Sequence, residues 1–434
     1  MVDAKGLVIA APASGAGKTL VTLGLLRAFT KRGLAVSSAK VGPDYIDPHF
    51  HQAASGRACF NLDGWAMRGS LVSTLAANAV ANSELLLVEG VMGLFDGAAG
   101  GDGSTADMAA DLGLPIVLVV DAGAQGQSVA ALVKGFAEFQ DNCDVGGVVF
   151  NRVTSQTHEE LLRHAVENIG VPVFGSLRRE TDLDLPSRHL GLVQASEHGT
   201  LEAFIERAAQ LVAEAVDLDA LTSIARPLLC SGDTPALPPL GQRIAVARDE
   251  AFGFSYPHLL NGWRDQGAEV LPFSPLADEA PNSNADAVYL PGGYPELHAG
   301  RLAGNATFLN GLRSAADGGV LIFGECGGFM VLGDYLIDAD GKKHAMAGLL
   351  PLGTSFAERG LTLGYRKLEH GDILPWPARL RGHEFHYSKL HWQGGADPLF
   401  AVQDSRNKDL GHIGLRHGRV MGSYAHVIDM EDET

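Results

Sequence analysis

Short apolar runs alternate along the first half of the chain with stretches whose apolar residues recur at helical spacing. Leu7 to Ala10, Leu34 to Ala39, Leu85 to Val88, Ile116 to Val120, Val145 to Phe150 and Val171 to Phe174 read as buried strands. Between them, Val21, Leu25, Ala28 and Phe29 share one helical face, and Ser128 to Phe139 and His158 to Asn168 follow the same period. Leu201 to Val216 is a further amphipathic segment that closes the series. This alternation is the signature of a parallel sheet covered on both faces. Residues 225–241 are rich in proline and lack periodicity, which predicts a linker. A second series follows at Arg243 to Ala247, Val270 to Phe273, Ala287 to Leu290 and Val320 to Phe323. The expected fold is therefore α/β, with two three-layer domains at residues 1–224 and 242–434.

Composition narrows the partners. With 434 residues, 46% hydrophobic and 19% charged, the chain is long enough for two compact cores. A net charge of −18 argues against nucleic acid, although a local basic pocket can still take an anionic small molecule. Cys59, Cys143, Cys230 and Cys326 are scattered without metal-ligand spacing. The start of the chain lacks a signal-peptide pattern and no apolar run is long enough to span a bilayer, so a cytoplasmic protein without membrane insertion is expected.

The first candidate site is Ala11-Pro-Ala-Ser-Gly-Ala-Gly-Lys-Thr19, between a strand and a helix. Ser14, Gly15, Ala16 and Gly17 offer backbone N–H groups at a helix N-terminus, Lys18 a point charge and Thr19 a hydroxyl for magnesium, which together suit the phosphates of a nucleotide such as ATP. Pro12 departs from the usual glycine at the start of such loops. After the next strand, Lys40-Val-Gly-Pro-Asp-Tyr-Ile-Asp-Pro48 brings Asp44 and Asp47 to the same sheet edge. Those aspartates either hold magnesium, directly or through water, or orient an acceptor carboxylate; an acidic turn satisfying its own backbone is the bland alternative. Lys40 either touches phosphate or is solvated. Glu89, ending Leu85-Leu-Leu-Val-Glu89, stands where a Walker-B-like strand places a metal-associated acid, and Asp96 lies on the loop beyond it, where a phosphoryl group and its acceptor would meet. Ser104 or Thr105 can cap a helix, and Asn151 and Arg152 reach an adenine base or the substrate, or cap the next element. Arg178 and Arg179 are candidates for anionic groups, with solvated surface as their plain alternative.

The second candidate site is Gly319-Val-Leu-Ile-Phe-Gly-Glu-Cys-Gly-Gly328, which sets Cys326 on a strand-to-helix turn. Such a turn exposes a nucleophile, favours a thiolate at the helix N-terminus and offers N–H groups to an oxyanion. His426, in Gly422-Ser-Tyr-Ala-His426, is the matching base, and Leu290-Pro-Gly-Gly-Tyr-Pro-Glu296 can add a second oxyanion donor. His383 and His386 in Arg381-Gly-His-Glu-Phe-His-Tyr-Ser388 lack a third ligand and sit on a strand-like segment, which argues against metal.

Taken in order, APASGAGKT, KVGPDYIDP, VEGVMGLFDG, PGGYPE, GECGG, RGHEFHYS and GSYAH resemble the cobyrinic or hydrogenobyrinic acid a,c-diamide synthases of cobalamin biosynthesis. The resemblance runs across essentially the whole chain. It implies a dethiobiotin-synthetase-like P-loop domain followed by a class I glutamine amidotransferase domain. It further implies ATP- and glutamine-dependent amidation of the a and c acetate carboxylates of a corrinoid polycarboxylate. Cys326 would form a thioester with glutamine and release ammonia, with His426 as base; ammonia would travel inside the protein and displace phosphate from an acyl phosphate. Asp44, Asp47 and Asp96 would serve that phosphoryl chemistry, Asn151 would join the loop on the nucleotide, and Thr19, Asp44, Asp47 and Glu89 would hold magnesium. Many class I domains carry a glutamate two residues after the histidine, where Ile428 stands here, so Glu384 and Asp429 are the candidates to orient His426. Cobyric acid synthase and the nickel-sirohydrochlorin diamide synthase are the neighbouring alternatives, and a regulatory P-loop ATPase is the alternative of a different class. The pattern is compatible with a homodimer and leaves open the ring metal and the order of the two amidations.

If the glycine-rich loop is the phosphate cradle, Lys18→Ala lowers ATP-dependent amidation by on the order of 100-fold while glutamine hydrolysis persists, as measured by parallel phosphate-release and glutamate-release assays.

Overall fold

The computed structural model describes residues 4–180, 187–188, 191–192, 195, 199–358 and 360–432. Its contacts divide into two compact units, Met1–Trp65 with Gly69–Thr234, and Ala66–Arg68 with Pro235–Thr434.

The first unit alternates strand and helix as β1 (Lys5–Ala10), α1 (Lys18–Lys31), β2 (Val36–Val41), α2 (Asp47–Ser55), β3 (Phe60–Leu62), α3 (Gly69–Ala79), β4 (Leu85–Glu89), α4 (Thr105–Leu112), β5 (Ile116–Asp121), α5 (Val129–Glu138), β6 (Val145–Val153), α6 (Gln156–Glu167) and β7 (Val173–Arg178). The strands lie in the order β3-β2-β4-β1-β5-β6-β7, all parallel. Val117 to Val120 are fully buried, as are Leu86 to Val88, so side chains on both faces of these strands are covered. Each such residue contributes about 1.5–3 kcal/mol of burial.

Several strands run further toward the carboxyl edge than the apolar pattern suggests, β2 among them. β2 extends through Lys40, although a lysine rarely continues a buried strand. It does so because Glu89 lies opposite it on β4 and neutralises it. Residues 225–241 are not wholly linker in form: Arg226–Pro227 pairs antiparallel with the start of β1.

α7 (Leu201–Ala215) packs on α1 through small residues and charge. Gly24 leaves no room there, since a Cβ would stand 2.4 Å from Val212 Cγ2 and 2.8 Å from the carbonyl oxygen of Ala208. Around that contact Arg27 reaches Glu202 at 2.5 Å and Glu206 at 2.6 Å, and Lys31 pairs with Glu206.

The second unit starts as another parallel sheet. Strands Glu269–Phe273, Arg243–Ala247, Ala287–Leu290, Leu321–Glu325 and Val420–Ser423 lie side by side in that order. The sheet then continues antiparallel through Asp409–His417, Asp397–Asp404, Thr362–Glu369, Arg379–His386 and His426–Met430. This antiparallel half departs from the simple open α/β sheet expected. Asp409–His417, Asp397–Asp404 and Thr362–Glu369 are largely exposed or half-buried and carry weak apolar runs; Lys389–Gln393, in a smaller accompanying sheet, is exposed along its whole length. Among the described residues, no helix is long and apolar enough to cross a membrane.

Gly24→Val overpacks the contact between α1 and α7, where a backbone carbonyl cannot yield. The expected loss is about 1–3 kcal/mol, larger than the helix-propensity gain, and appears as a lowered unfolding midpoint in scanning calorimetry.

Candidate active sites

In the first unit the glycine-rich loop leaves β1 and enters α1. Gly15 and Gly17 adopt φ of 78° and 102°, a left-handed backbone that turns the chain and favours glycine at both positions. α1 begins at Lys18, so the loop N–H groups gather at its N-terminus. The loop is braced from two sides. Leu94 N donates to Ala11 O at 2.9 Å, and Lys18 Nζ donates to Met92 O at 2.5 Å. From β6, Asn151 Nδ2 donates to Ala16 O at 2.9 Å, and a Cβ on Gly17 would lie 2.1 Å from that same nitrogen. Asn151 thus sits against the phosphate loop and holds its backbone. Arg152, beside it, pairs with Asp121.

Thr19, Asp47 and Glu89 converge. Thr19 Oγ1 donates to Glu89 Oε1 at 2.7 Å and lies 3.4 Å from Asp47 Oδ2. Lys40 Nζ is 2.7 Å from Asp47 Oδ2 and 3.0 Å from Glu89 Oε1, and it also donates to Gly90 O. Lys40 is therefore a buried counter-charge rather than a solvated lysine. His51 was not legible as a site residue, yet its Nε2 meets Glu89 Oε2 at 2.7 Å, both side chains being fully buried. Burial opposes charge on Glu89, but Lys40 and His51 overcome it and hold the carboxyl well below the usual carboxylate range. His51 is lifted to about 10: burial works against its charge, and Cys59 and Glu89 overcome it. Asp47 moves the other way, to about 6, driven by burial and by Asp44 against the pull of Lys40. Lys18 is lowered by burial and by Lys40.

Asp44 and Asp96 are close by but spend oxygens on turns. Asp44 Oδ1 accepts from Ile46 N at 2.8 Å and Asp47 N at 3.0 Å, which fixes the entry to α2. Asp96 Oδ2 accepts from Gly93 N at 2.8 Å, where Gly93 also abuts Pro12. Ser104 and Asp107 form a capping box on α4. Arg178 pairs with Glu159.

Thr19, Asp47 and Glu89 form an all-oxygen donor set of the kind magnesium takes. Among the described residues there is no group of three or more His, Cys, Asp or Glu arranged to hold a metal by themselves.

In the second unit Cys326 follows the strand Leu321–Glu325 and has φ of 45°, an unusual conformation for a side-chain-bearing residue. The turn is crowded: a Cβ on Gly328 would stand 2.0 Å from Leu290 O. Ser423 is in register with Glu325, which carries His426 to the same edge three residues later. A Cβ on Gly292 would lie 3.1 Å from His426 Nε2 and 3.3 Å from Cys326 Cβ, so both side chains face one point beside the turn after Leu290. Gly293 N borders that turn, 3.1 Å from a Cβ placed on Gly327.

Protonation differs from the thiolate that a helix N-terminus alone suggests. Burial pushes the Cys326 thiol up, and Glu296, Glu325 and Glu384 add to it. Burial holds His426 well below the ordinary histidine range, with His383 and His386 acting in the same direction. Both shifts favour the neutral forms, a thiol and an imidazole.

His383 and His386 pack around this pair. His383 stacks on His426 with centroids 5.0 Å apart and planes 8° apart, while its Nε2 meets Tyr256 Oη at 3.0 Å. His386 stacks on Tyr424 and its Nδ1 donates to Ser388 O. Neither of the acids expected to orient His426 is directed to it. Asp429 accepts from Arg68 N, Nε and Nη2 at 2.9 to 3.0 Å, and Glu384 accepts from Arg366 Nε at 2.5 Å.

Comparison with known proteins matches residues 7–193 to the family described as CobQ/CobB/MinD/ParA nucleotide binding domain, and residues 243–434 to the CobB/CobQ-like glutamine amidotransferase domain. The chain is 56% identical to the hydrogenobyrinate a,c-diamide synthase of Rhizobium meliloti (strain 1021), over 98% of this chain and 100% of that protein. It is 56% identical to the protein of that name from Brucella anthropi, covering 98% of each chain, and 52% identical to that from Rhodobacter capsulatus, again covering 98% of each.

Asn151→Ala removes the brace on the phosphate loop. Loss of a buried hydrogen bond of about 1–3 kcal/mol raises KM for ATP by roughly 5- to 100-fold, with glutaminase kcat unchanged, as read from steady-state kinetics of the two half-reactions.

Proposed function

The chain belongs to the hydrogenobyrinate a,c-diamide synthase family, and from that membership we propose how its residues divide one amidation between a glutaminase and an ATP site. The protein is a glutamine-hydrolysing ligase that performs glutamine-dependent amidation in cobalamin biosynthesis. Its substrate in this reading is hydrogenobyrinate, the metal-free ring, whose a and c acetate carboxylates become amides. The name and near-complete coverage of relatives at 52 to 56% identity support that choice over the neighbouring amidotransferases.

The observation that carries the glutaminase half is the convergence of Cys326 and His426 Nε2 on the position beside Gly292. His426 takes the thiol proton as sulfur attacks the amide carbon of glutamine, forming a thioester. The same imidazole then returns the proton to the departing nitrogen, which leaves as ammonia. Gly293 N–H and the backbone after Cys326 are the donors for the developing oxyanion. Water hydrolyses the thioester to glutamate.

In the other unit the loop from Ser14 to Thr19 holds the ATP phosphates, with Lys18 released from Met92 O to meet them. A magnesium ion suits Thr19, Asp47 and Glu89, and when bound it neutralises charge on phosphate oxygens. Lys40 and His51 keep the two carboxylates charged and aligned. Asp44 and Asp96 shape the acceptor side of the site through the turns they fix. The ring carboxylate attacks the γ-phosphorus to give an acyl phosphate, and ammonia displaces phosphate from the carbonyl carbon to leave the amide. Carboxylate oxygen is a poor leaving group, which is why ATP is consumed. The free thiols of Cys59, Cys143, Cys230 and Cys326 suit a reducing cytoplasm.

Cys326→Ala is expected to abolish glutamine-supported amidation while retaining amidation with added ammonium salt. Mass spectrometry of metal-free and cobalt-containing rings incubated with ATP and each nitrogen source reads both the mechanism and the substrate. Loss of both activities at unchanged thermal stability overturns the two-site mechanism, and amidation of the cobalt ring alone overturns the substrate assignment.

A further inference from the structure

The second unit carries a buried acid that no motif argument assigned. Glu325 is the last residue of its strand and immediately precedes Cys326, with 1% of its surface exposed. Its Oε2 lies 3.9 Å from Nδ1 of His426, whose side chain is equally buried. The carboxyl is held from two directions: Tyr289 Oη donates to Oε2 at 2.6 Å, and Val427 N donates to Oε1 at 2.9 Å. Val427 is the residue after His426, so the second bond ties the carboxyl to the backbone that carries the imidazole.

We infer that Glu325 is the positioning residue for His426, the acid that completes a Cys326–His426–Glu325 arrangement in place of the glutamate that class I domains often carry two residues after the histidine. This inference rests on the reading of Cys326 and His426 as the glutaminase pair. The ring geometry supports it, because Nδ1 lies toward Glu325 while Cε1 and Nε2 border the position beside Gly292 that Cys326 Cβ also borders. A base needs its proton on Nδ1 and its lone pair on Nε2, and an acceptor beside Nδ1 selects that tautomer. The two other acids near the histidine are engaged by guanidinium groups of Arg68 and Arg366. His383 stacks on the imidazole and fixes its ring plane, with its own Nε2 at Tyr256 Oη.

The electrostatics give Glu325 its timing. Burial raises its carboxyl to about 7, against the hydrogen bonds from Tyr289 and Val427, and no cation compensates it in the resting site. When the thiol proton moves to Nε2, the imidazolium is the missing cation. Nδ1 and Glu325 Oε2, 3.9 Å apart in the resting site, then close to a charged hydrogen bond in the only state where both partners are charged, which is the state the reaction must reach.

Glu325→Gln in the full-length enzyme is the test. The amide still accepts from Val427 N and contacts Tyr289, so a merely structural role is preserved. We expect glutaminase kcat to fall about 10- to 100-fold with KM for glutamine unchanged and ammonia-supported amidation intact. Tyr289→Phe, which leaves the carboxylate but removes one of its anchors, is expected to lower glutaminase kcat several-fold with the same KM. Unchanged kcat in Glu325→Gln, or a rise confined to KM, overturns the inference. If Glu325→Gln is unstable, Tyr289→Phe decides alone, and an unchanged kcat there overturns it. Failure of the underlying reading is separate: it is glutamine turnover surviving in Cys326→Ala, whatever Glu325→Gln does.

Discussion

A glutamate buried at the carboxyl end of a central parallel strand is the constraint around which each half of this protein is arranged. Glu89 ends β4 and Glu325 ends the strand Leu321–Glu325, and neither has more than 1% of its surface exposed. An uncompensated carboxylate there would cost several kcal/mol, so the neighbouring elements must supply donors. In the first unit Thr19, Lys40 and His51 do so, drawing together α1, β2 and α2. In the second, Tyr289 and the backbone at Val427 do so, joining the strand Ala287–Leu290 to the strand that follows His426.

The two solutions differ in charge, and the difference matches the chemistry each unit performs. Two cations, Lys40 and His51, surround Glu89, so it stays ionised in the resting protein, which fits the magnesium role proposed for it. No cation surrounds Glu325, so burial lifts it to about 7 and its charge is favoured only when a positive group forms beside it. Cys326 and His426 follow the same logic, since burial pushes the thiol up and holds the imidazole well below its ordinary range in the resting site. A resting thiolate is unnecessary where the base is positioned to take the proton during attack.

Backbone geometry also shapes both sites. The left-handed glycines of the phosphate loop and the crowded turn at Cys326 both let a strand pass directly into a helix over a ligand. Asn151 shows how such a loop is kept in place from a distant strand, filling the space a Gly17 side chain would need. His383 plays a comparable part in the second unit by stacking on His426, which gives the RGHEFHYS segment a packing role in place of a metal-binding one.

Much of this was legible along the chain. The strands buried on both faces announce themselves as apolar runs, and glycine-rich turns after them mark where ligands approach, because both signals are local. The phosphate loop, Glu89, Cys326 and His426 each become candidates this way. The extension of β2 through Lys40 could not, since it depends on Glu89 lying opposite on a strand distant in sequence. Nor could His51, Tyr289 or the role of Glu325, whose partners come from separate elements. The antiparallel half of the second sheet escaped the pattern because its half-exposed strands need fewer apolar residues. The amino-acid sequence by itself thus determined the α/β architecture and the candidates for the reacting groups, through periodicity and turn chemistry. Only the tertiary structure decided which buried charge faces which partner, because the cost of burying an ion is settled by neighbours that the chain order does not reveal.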